Sequence, residues 1–309
     1  MPGAFAHITL VNMLKETRRL DALGGFPDTA KAAVLKYFKY CELGAVSPDY
    51  PYLAIGDKGA AKWADDMHYT RTGKMIHAGV RRLRALSGPA QQKCLAWLLG
   101  YAAHVATDVT IHPVVELKVG PYAQNKTHHR ICEMNQDAYI FQRLNLGSLT
   151  LAEHLDAGVC ACGSNSAHEL DTDIQTLWDG MLRDVHSQEY AANPPNINKW
   201  HRGFKVVVDD FAEESGKLFP LARHVAVGQG LTYPARSEVD MKEYINDLRV
   251  PNGHLHYDQI FDRAIENVGA VWTLVTLGVL TGDEAFASKI GNWNLDTGKD
   301  PSGHYVFWN

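Results

Sequence analysis

Between Leu95 and Pro113 the chain reads LAWLLGYAAHVATDVTIHP, where Leu95, Trp97, Leu98, Leu99, Tyr101, Ala102, Ala103, Val105, Ala106, Val109 and Ile111 leave almost no polar face. A helix with this pattern is predicted to be buried on all sides. Pro89 is expected to open it and Pro113 to stop it. Three ionisable residues interrupt the run. His104, Asp108 and His112 recur at i, i+4 and i+8, and at ~100° per residue they drift only ~40° per step, so they form one stripe. Burying them without partners would cost several kcal/mol apiece, so the stripe demands metal or a dense hydrogen-bond network. At ~1.5 Å rise per residue, His104 and His112 have Cα atoms ~12 Å apart, too far for one ion bound through ~2 Å bonds. The metal reading therefore needs two ions, with Asp108 placed to bridge them. The alternative is a buried His–Asp ladder that serves packing alone.

On either side of this stretch the pattern predicts further helices. Ala4–Leu20 puts Ile8, Val11 and Leu14 opposite Lys15, Arg18 and Arg19, and His7 stands at its start as either a ligand or a polar helix-end residue. Thr29–Leu43 is a second helical pattern, ended by Gly44. Ser47-Pro48-Asp49-Tyr50-Pro51-Tyr52 reads as an extended loop in which Asp49 caps a turn or binds a metal. Weak periodicity makes Trp63–Tyr69 and Thr72-Gly73-Lys74 a loop, from which His68 or His77 either faces solvent or reaches a site; Asp65 and Asp66 are expected to be solvated or to lie behind the ligands. Arg81, Arg82 and Arg84 are expected on a solvated helix face. After a Gly120-Pro121 loop, His129, Glu133 and Asp137 fall at i, i+4 and i+8 of another helix, and a His/Glu pair so spaced chelates zinc without distortion. His128 points about 100° away, towards substrate or solvent. Further on, Leu170–Asp184, Phe204–Phe219 and Gln259–Leu280 read as helices, and Pro251-Asn252-Gly253 as a turn. The remaining histidines lack ligand spacing and are expected at the surface or in the core.

Composition narrows the function classes. In 309 residues there are 15 His and five Cys, with no CxxC pair, so any metal is held by nitrogen and oxygen rather than thiolate. A net charge of −5 gives no electrostatic footprint for nucleic acid, and no stable nucleic-acid binding is expected. No run reaches ~18 uninterrupted apolar residues, so no transmembrane segment is expected. The first twenty residues lack the features of a secretory signal, which suggests a cytoplasmic protein or one exported by an unannounced route.

The segments AFAHITLVN, SPDYPYL, DDMHYTRTGK, GYAAHVATDVTIHP and HHRICE together resemble the zinc-dependent phospholipase C family, which includes the catalytic domain of the glycosylphosphatidylinositol-specific phospholipase D. More distant relatives are the zinc nucleases specific for single strands. The similarity covers roughly the first half of the chain. It implies an all-α multi-helix bundle with two to three zinc ions. Carried over, Asp49, His68, His104 and Asp108 would hold the first ion, His112, His129 and Glu133 the second, and His7 with Asp108 the third. In the family a free chain terminus, commonly a Trp exposed by signal cleavage, completes the third site; here the chain starts Met1-Pro2-Gly3, and removal of Met1 would offer the Pro2 amine. The step from Asp108 to His112 is also shorter than in the secreted phospholipases.

The resemblance implies phosphodiester hydrolysis, with a phospholipid or other phosphodiester as substrate, Asp49 and Asp108 at the catalytic centre, and transient contact with a membrane surface. Tyr50, Tyr52, Tyr69 and His128 are expected to contact substrate, as is Trp63 among the nearby aromatics, unless the rings simply pack the core. Residues 1–150 are expected to form the metal-binding catalytic core and 151–309 further helices on the same domain or a cap. Two other readings stay open. Glu133 matches the lipase-like members, where the nucleases have Asp; a non-enzymatic, zinc-stabilised binding protein would instead have closed, four-coordinate sites.

Overall fold

A computed structural model describes residues 3–54, 56–145, 154, 157–164, 169–213, 234 and 236–308. The architecture is all-α. Its helices are α1 (Ala4–Leu14), α2 (Thr17–Ala22), α3 (Asp28–Lys36), α4 (Phe38–Val46), α5 (Ala60–Tyr69), α6 (Thr72–Leu83), α7 (Gly88–Val119), α8 (Tyr122–Ile140), α9 (Thr172–Val185), α10 (Ser187–Ala192), α11 (Ile197–Glu213), α12 (Met241–Tyr244), α13 (Tyr257–Thr281) and α14 (Ala285–Lys289). A two-stranded antiparallel hairpin, Leu248–Val250 with Gly253–Leu255, is turned by the Pro251-Asn252 pair expected from the sequence.

The bundle is built around α7, whose apolar run is wholly buried. α4 and α13 are the helices that pack most extensively against it. α4 crosses at two glycines: a Cβ on Gly44 would collide with the Trp97 carbonyl, and one on Gly100 with the Cys41 carbonyl. The two backbones therefore touch, which only residues without a side chain permit. α13 is anchored by Trp272 Nε1, which donates to the Leu99 carbonyl at 2.8 Å. By length and apolar composition α7 and α13 could each cross a membrane, but that test also passes core helices, and α7 is one.

Several boundaries differ from the sequence expectation. Pro113 lies inside α7, which continues to Val119. Proline leaves the Val109 carbonyl without its helical donor, and there the chain's final described segment packs: Gly298, at φ 64°, sits against Pro113 and the Val109 carbonyl. Trp308 Nε1 donates to the neighbouring Thr110 carbonyl at 2.8 Å. Gly44 likewise does not end its helix, because its lack of a side chain is used for the crossing. Trp63–Tyr69 is helix, not loop: Ala60, Trp63, Ala64, Met67 and His68 are buried at i, i+3, i+4, i+7 and i+8, a stripe obscured by Asp65 and Asp66. Thr72–Lys74 opens α6. The expected Ala4–Leu20 helix breaks after Leu14, and α1 is buried on nearly every side rather than amphipathic. The Thr29–Leu43 pattern is interrupted at Tyr37, and the expected Phe204–Phe219 helix instead runs Ile197–Glu213, with 214–219 outside the described residues. Arg82 and Arg84 are not simply solvated: Arg82 forms a bidentate pair with Asp184, and Arg84 reaches the Gly278 carbonyl and Glu284.

Candidate metal centre

His104, Asp108 and His112 are all buried on α7. α1 brings His7, α5 brings His68, and the segment after α4 brings Asp49. That segment is not the predicted extended loop but a 3₁₀ helix, Ser47–Leu53, held with Pro48 in its first turn. The Gly44–Gly100 crossing sets the approach of α4 to α7, and so the approach of Asp49 to His104.

Their ring nitrogens and carboxyl oxygens converge. His104 Nε2 is 3.3 Å from Asp108 Oδ2 and 3.3 Å from His68 Nε2; His68 Nε2 is 3.5 Å from Asp49 Oδ1 and 3.9 Å from Asp108 Oδ2. On the other side of the same carboxylate, His7 Nε2 is 3.3 Å from Asp108 Oδ1, and its ring stacks on His104 with centroids 4.1 Å apart. Among the described residues, two groups of three gather their ligand atoms within 4.8 Å of one another: His7, His104 and Asp108, and Asp49, His68 and His104. Tetrahedral zinc with bonds of ~2.0–2.1 Å holds its ligand atoms about 3.3 Å apart, so these separations suit zinc. Asp108 shows one oxygen to each group.

The third expected set is looser. Glu133 Oε1 is 3.9 Å from His112 Nε2 and 3.8 Å from His129 Nδ1, all three residues being buried. Helix α8 carries His129 and Glu133, tied to α1 where Asp137 accepts from the Ala6 amide at 3.2 Å.

Three of the imidazoles have a backbone carbonyl on their outer side. His68 Nδ1 meets the Ala64 carbonyl at 2.6 Å, His104 Nδ1 the Ala45 carbonyl at 2.8 Å, and His129 Nε2 the Gly120 carbonyl at 2.6 Å. A ring nitrogen that donates outward leaves the other bare towards the centre, the arrangement found around metal-bound histidine. Inward, the buried Asp49 Oδ1, both Asp108 oxygens, both His7 nitrogens, His112 Nε2 and His129 Nδ1 have no hydrogen-bond partner. That concentration of unsatisfied atoms would be costly without a cation. The residues present therefore fit zinc, and the ladder that serves packing alone does not satisfy them.

Electrostatics point the same way. Burial, reinforced by the His104 charge, pushes His7 down to about 4, so its ring is neutral and ready to ligate. Burial opposes charge on Asp108, yet the His104, His7 and His112 rings hold its carboxyl well below the usual range. Burial also opposes an imidazolium at His104, but Asp108 and Asp49 outweigh it and raise its pKa.

The expected substrate contacts divide. Tyr50 is corrected to a core residue: it is fully buried, stacked on Phe204 with centroids 4.6 Å apart and flanked by Trp178 and His201. Trp63 is buried too, its Nε1 donating to the Asn193 carbonyl. Tyr52 donates to Asp65 at 2.7 Å, and Asp66 is buried and paired with Lys62. His128 is exposed, while His77 is half-buried on the Ile290 carbonyl. Tyr69 lines a cavity of about 290 Å³ beside the centre together with Glu116, Tyr122, His129 and Asp296. Sequence reasoning missed Asp296, whose only signal is a lone carboxylate in an irregular, turn-rich segment. Met1 and Pro2, invoked for a terminal amine, lie outside the described residues.

Fold and site thus define an all-α protein with a buried histidine–carboxylate centre whose residues could hold zinc. The family model for zinc-dependent phospholipase C matches residues 6–188, and the chain belongs to that family. No curated protein and no solved structure matches the chain. The matched span contains every residue named above as a candidate ligand and stops short of Asp296.

Proposed function

We propose that the protein is a zinc-dependent phosphodiester hydrolase, acting as a phospholipase C that releases a phosphorylated head group from a glycerophospholipid. Family membership supports the hydrolase class. The observation that supports the reading is Asp108: its buried Oδ1 faces His7, and its buried Oδ2 faces His104 and His68. Asp49, His68, His104 and Asp108 would hold one ion, Asp108 with His7 another, and His112, His129 and Glu133 a further one. Zinc held there would supply Lewis acidity towards the phosphoryl oxygens and would lower the pKa of water.

The chain's own residues do the rest. The Ala64, Ala45 and Gly120 carbonyls hold the rings of His68, His104 and His129 so that the ligating nitrogens need no rearrangement. Asp49 Oδ1, buried and lacking a hydrogen-bond partner, is assigned the proton leaving the attacking water. Tyr69 and Tyr122, which line the cavity, are assigned to contact substrate.

Asp108→Asn tests the reading. It is expected to lower bound zinc per chain and to cut hydrolysis of a chromogenic phosphocholine ester by at least ~100-fold, the scale of losing a preorganised charge at the reacting centre. Full zinc with full activity would overturn it. Degradation of single-stranded DNA without release of head groups would move the protein to the nuclease relatives.

A further inference from the structure

The outer partners of the centre's histidines are not alike. His68, His104 and His129 each direct one ring nitrogen to a neutral backbone carbonyl. His112 instead has Nδ1 3.5 Å from a carboxylate, Asp296 Oδ1, while its Nε2 faces Glu133. A carboxylate behind a ligating imidazole fixes its tautomer and orientation, and makes the other nitrogen a stronger donor than a carbonyl would.

Asp296 is held in place from several directions. Tyr69 donates to its second oxygen at 2.7 Å. Asn294 Oδ1 accepts from the Asp296 and Thr297 amides, closing a turn around it, and the Leu295 amide donates to the His68 carbonyl at 3.2 Å. Gly298, just beyond, sits on the Pro113 face of α7, one residue from His112. Thr72 fastens the start of the segment by accepting from the Trp293 amide and donating to the Trp293 carbonyl, both at 2.8 Å. The strap from Trp293 to Gly298 is thus pinned to the ligand-bearing helices α5 and α7 and to α6. It comes from sequence well past the family-matched span.

We propose that Asp296 is a positioning residue for His112: it orients the ring so that Nε2 ligates zinc and strengthens the ion shared by His112, His129 and Glu133, the most loosely gathered of the candidate sites. This rests on the zinc reading of the centre. Without that outer carboxylate, the wider spacing around Glu133 would leave this ion the weakest.

The experiment is zinc titration of the full chain against a calibrated chelator, resolving the affinity of each ion, for the native protein, Asp296→Asn and Tyr69→Phe, with imidazole nitrogen NMR of His112 in the zinc-loaded state. Asp296→Asn is expected to weaken one ion by ten- to a hundredfold, leave the others at native affinity, and shift the His112 Nδ1 resonance. Tyr69→Phe, which frees one carboxylate oxygen without removing charge, is expected to weaken the same ion by less; it carries the test if Asp296→Asn does not fold. Native affinity for every ion in the folded variants, or equal weakening of all ions, would overturn the role of Asp296 while leaving the zinc reading standing. A native chain that takes up no zinc at any concentration would overturn both.

Discussion

His201 shows how much a single buried imidazole costs when it has no metal and no partner. It is fully buried, stacked on Tyr50, neither ring nitrogen has a hydrogen bond, and burial pushes its pKa down to about 4. In the unfolded chain the same ring titrates near 6.5. Between those values the unfolded state binds a proton that the folded state refuses, so stability is lost as pH falls from about 6.5 towards 4 and the loss levels off below. The full effect is of order 3 kcal/mol. His201→Phe is therefore expected to flatten the decline of the melting temperature with acidification without altering zinc content, as scanning calorimetry across that range would read. A parallel decline in native and variant would assign the acid sensitivity elsewhere. The buried polar stripe was legible because His104, Asp108 and His112 repeat at helical spacing on an oily face. His68 was ambiguous alone, since nothing local distinguishes a ligand histidine on a short amphipathic helix from a surface one, and Tyr50 was misplaced because an aromatic beside a ligand can point into the core.

Among the elements, the crossing of α4 and α7 has the least tolerance. Gly44 and Gly100 let the backbones touch, and that closeness delivers the Ser47–Leu53 turn with Asp49 to His104. Gly100→Val would force the helices apart, and overpacking of this kind typically costs ~1–3 kcal/mol. The expected result is a lower unfolding midpoint in denaturant together with weaker zinc binding at the Asp49 group, even though no ligand is altered. Native affinity in a folded variant would count against the crossing as the device that places Asp49. Periodicity found α7, α9 and α13 because their apolar faces are long. It failed for α5, where Asp65 and Asp66 interrupt the pattern, and for the ends of α4 and α7, where glycine and proline serve tertiary contacts rather than termination.

At the scale of the molecule, the final segment closes over the proline face of α7. Trp308 is buried, donates to the Thr110 carbonyl, and is covered by Arg263 at 4.5 Å from its ring. Trp308→Ala is expected to cost ~3–5 kcal/mol, the range for truncating a buried tryptophan, with the melting temperature falling accordingly; a shift of under a degree would mean that the segment packs without contributing. None of this was visible in the sequence of residues 291–308, where short irregular turns carry no period and the contacts are made with residues far away in the chain.

Stripping zinc with a chelator is expected to lower the melting temperature in proportion to RT ln(1 + [Zn]/Kd), and restoring the metal should return it. That linkage has a further consequence. The candidate ligands are spread over α1, the turn after α4, α5, α7 and α8, so a half-assembled chain offers an ion no more than scattered single donors. Capture of the metal is then an all-or-nothing reading of whether these remote pieces have met, and a cell that meters zinc sparingly would load only molecules whose assembly is already complete.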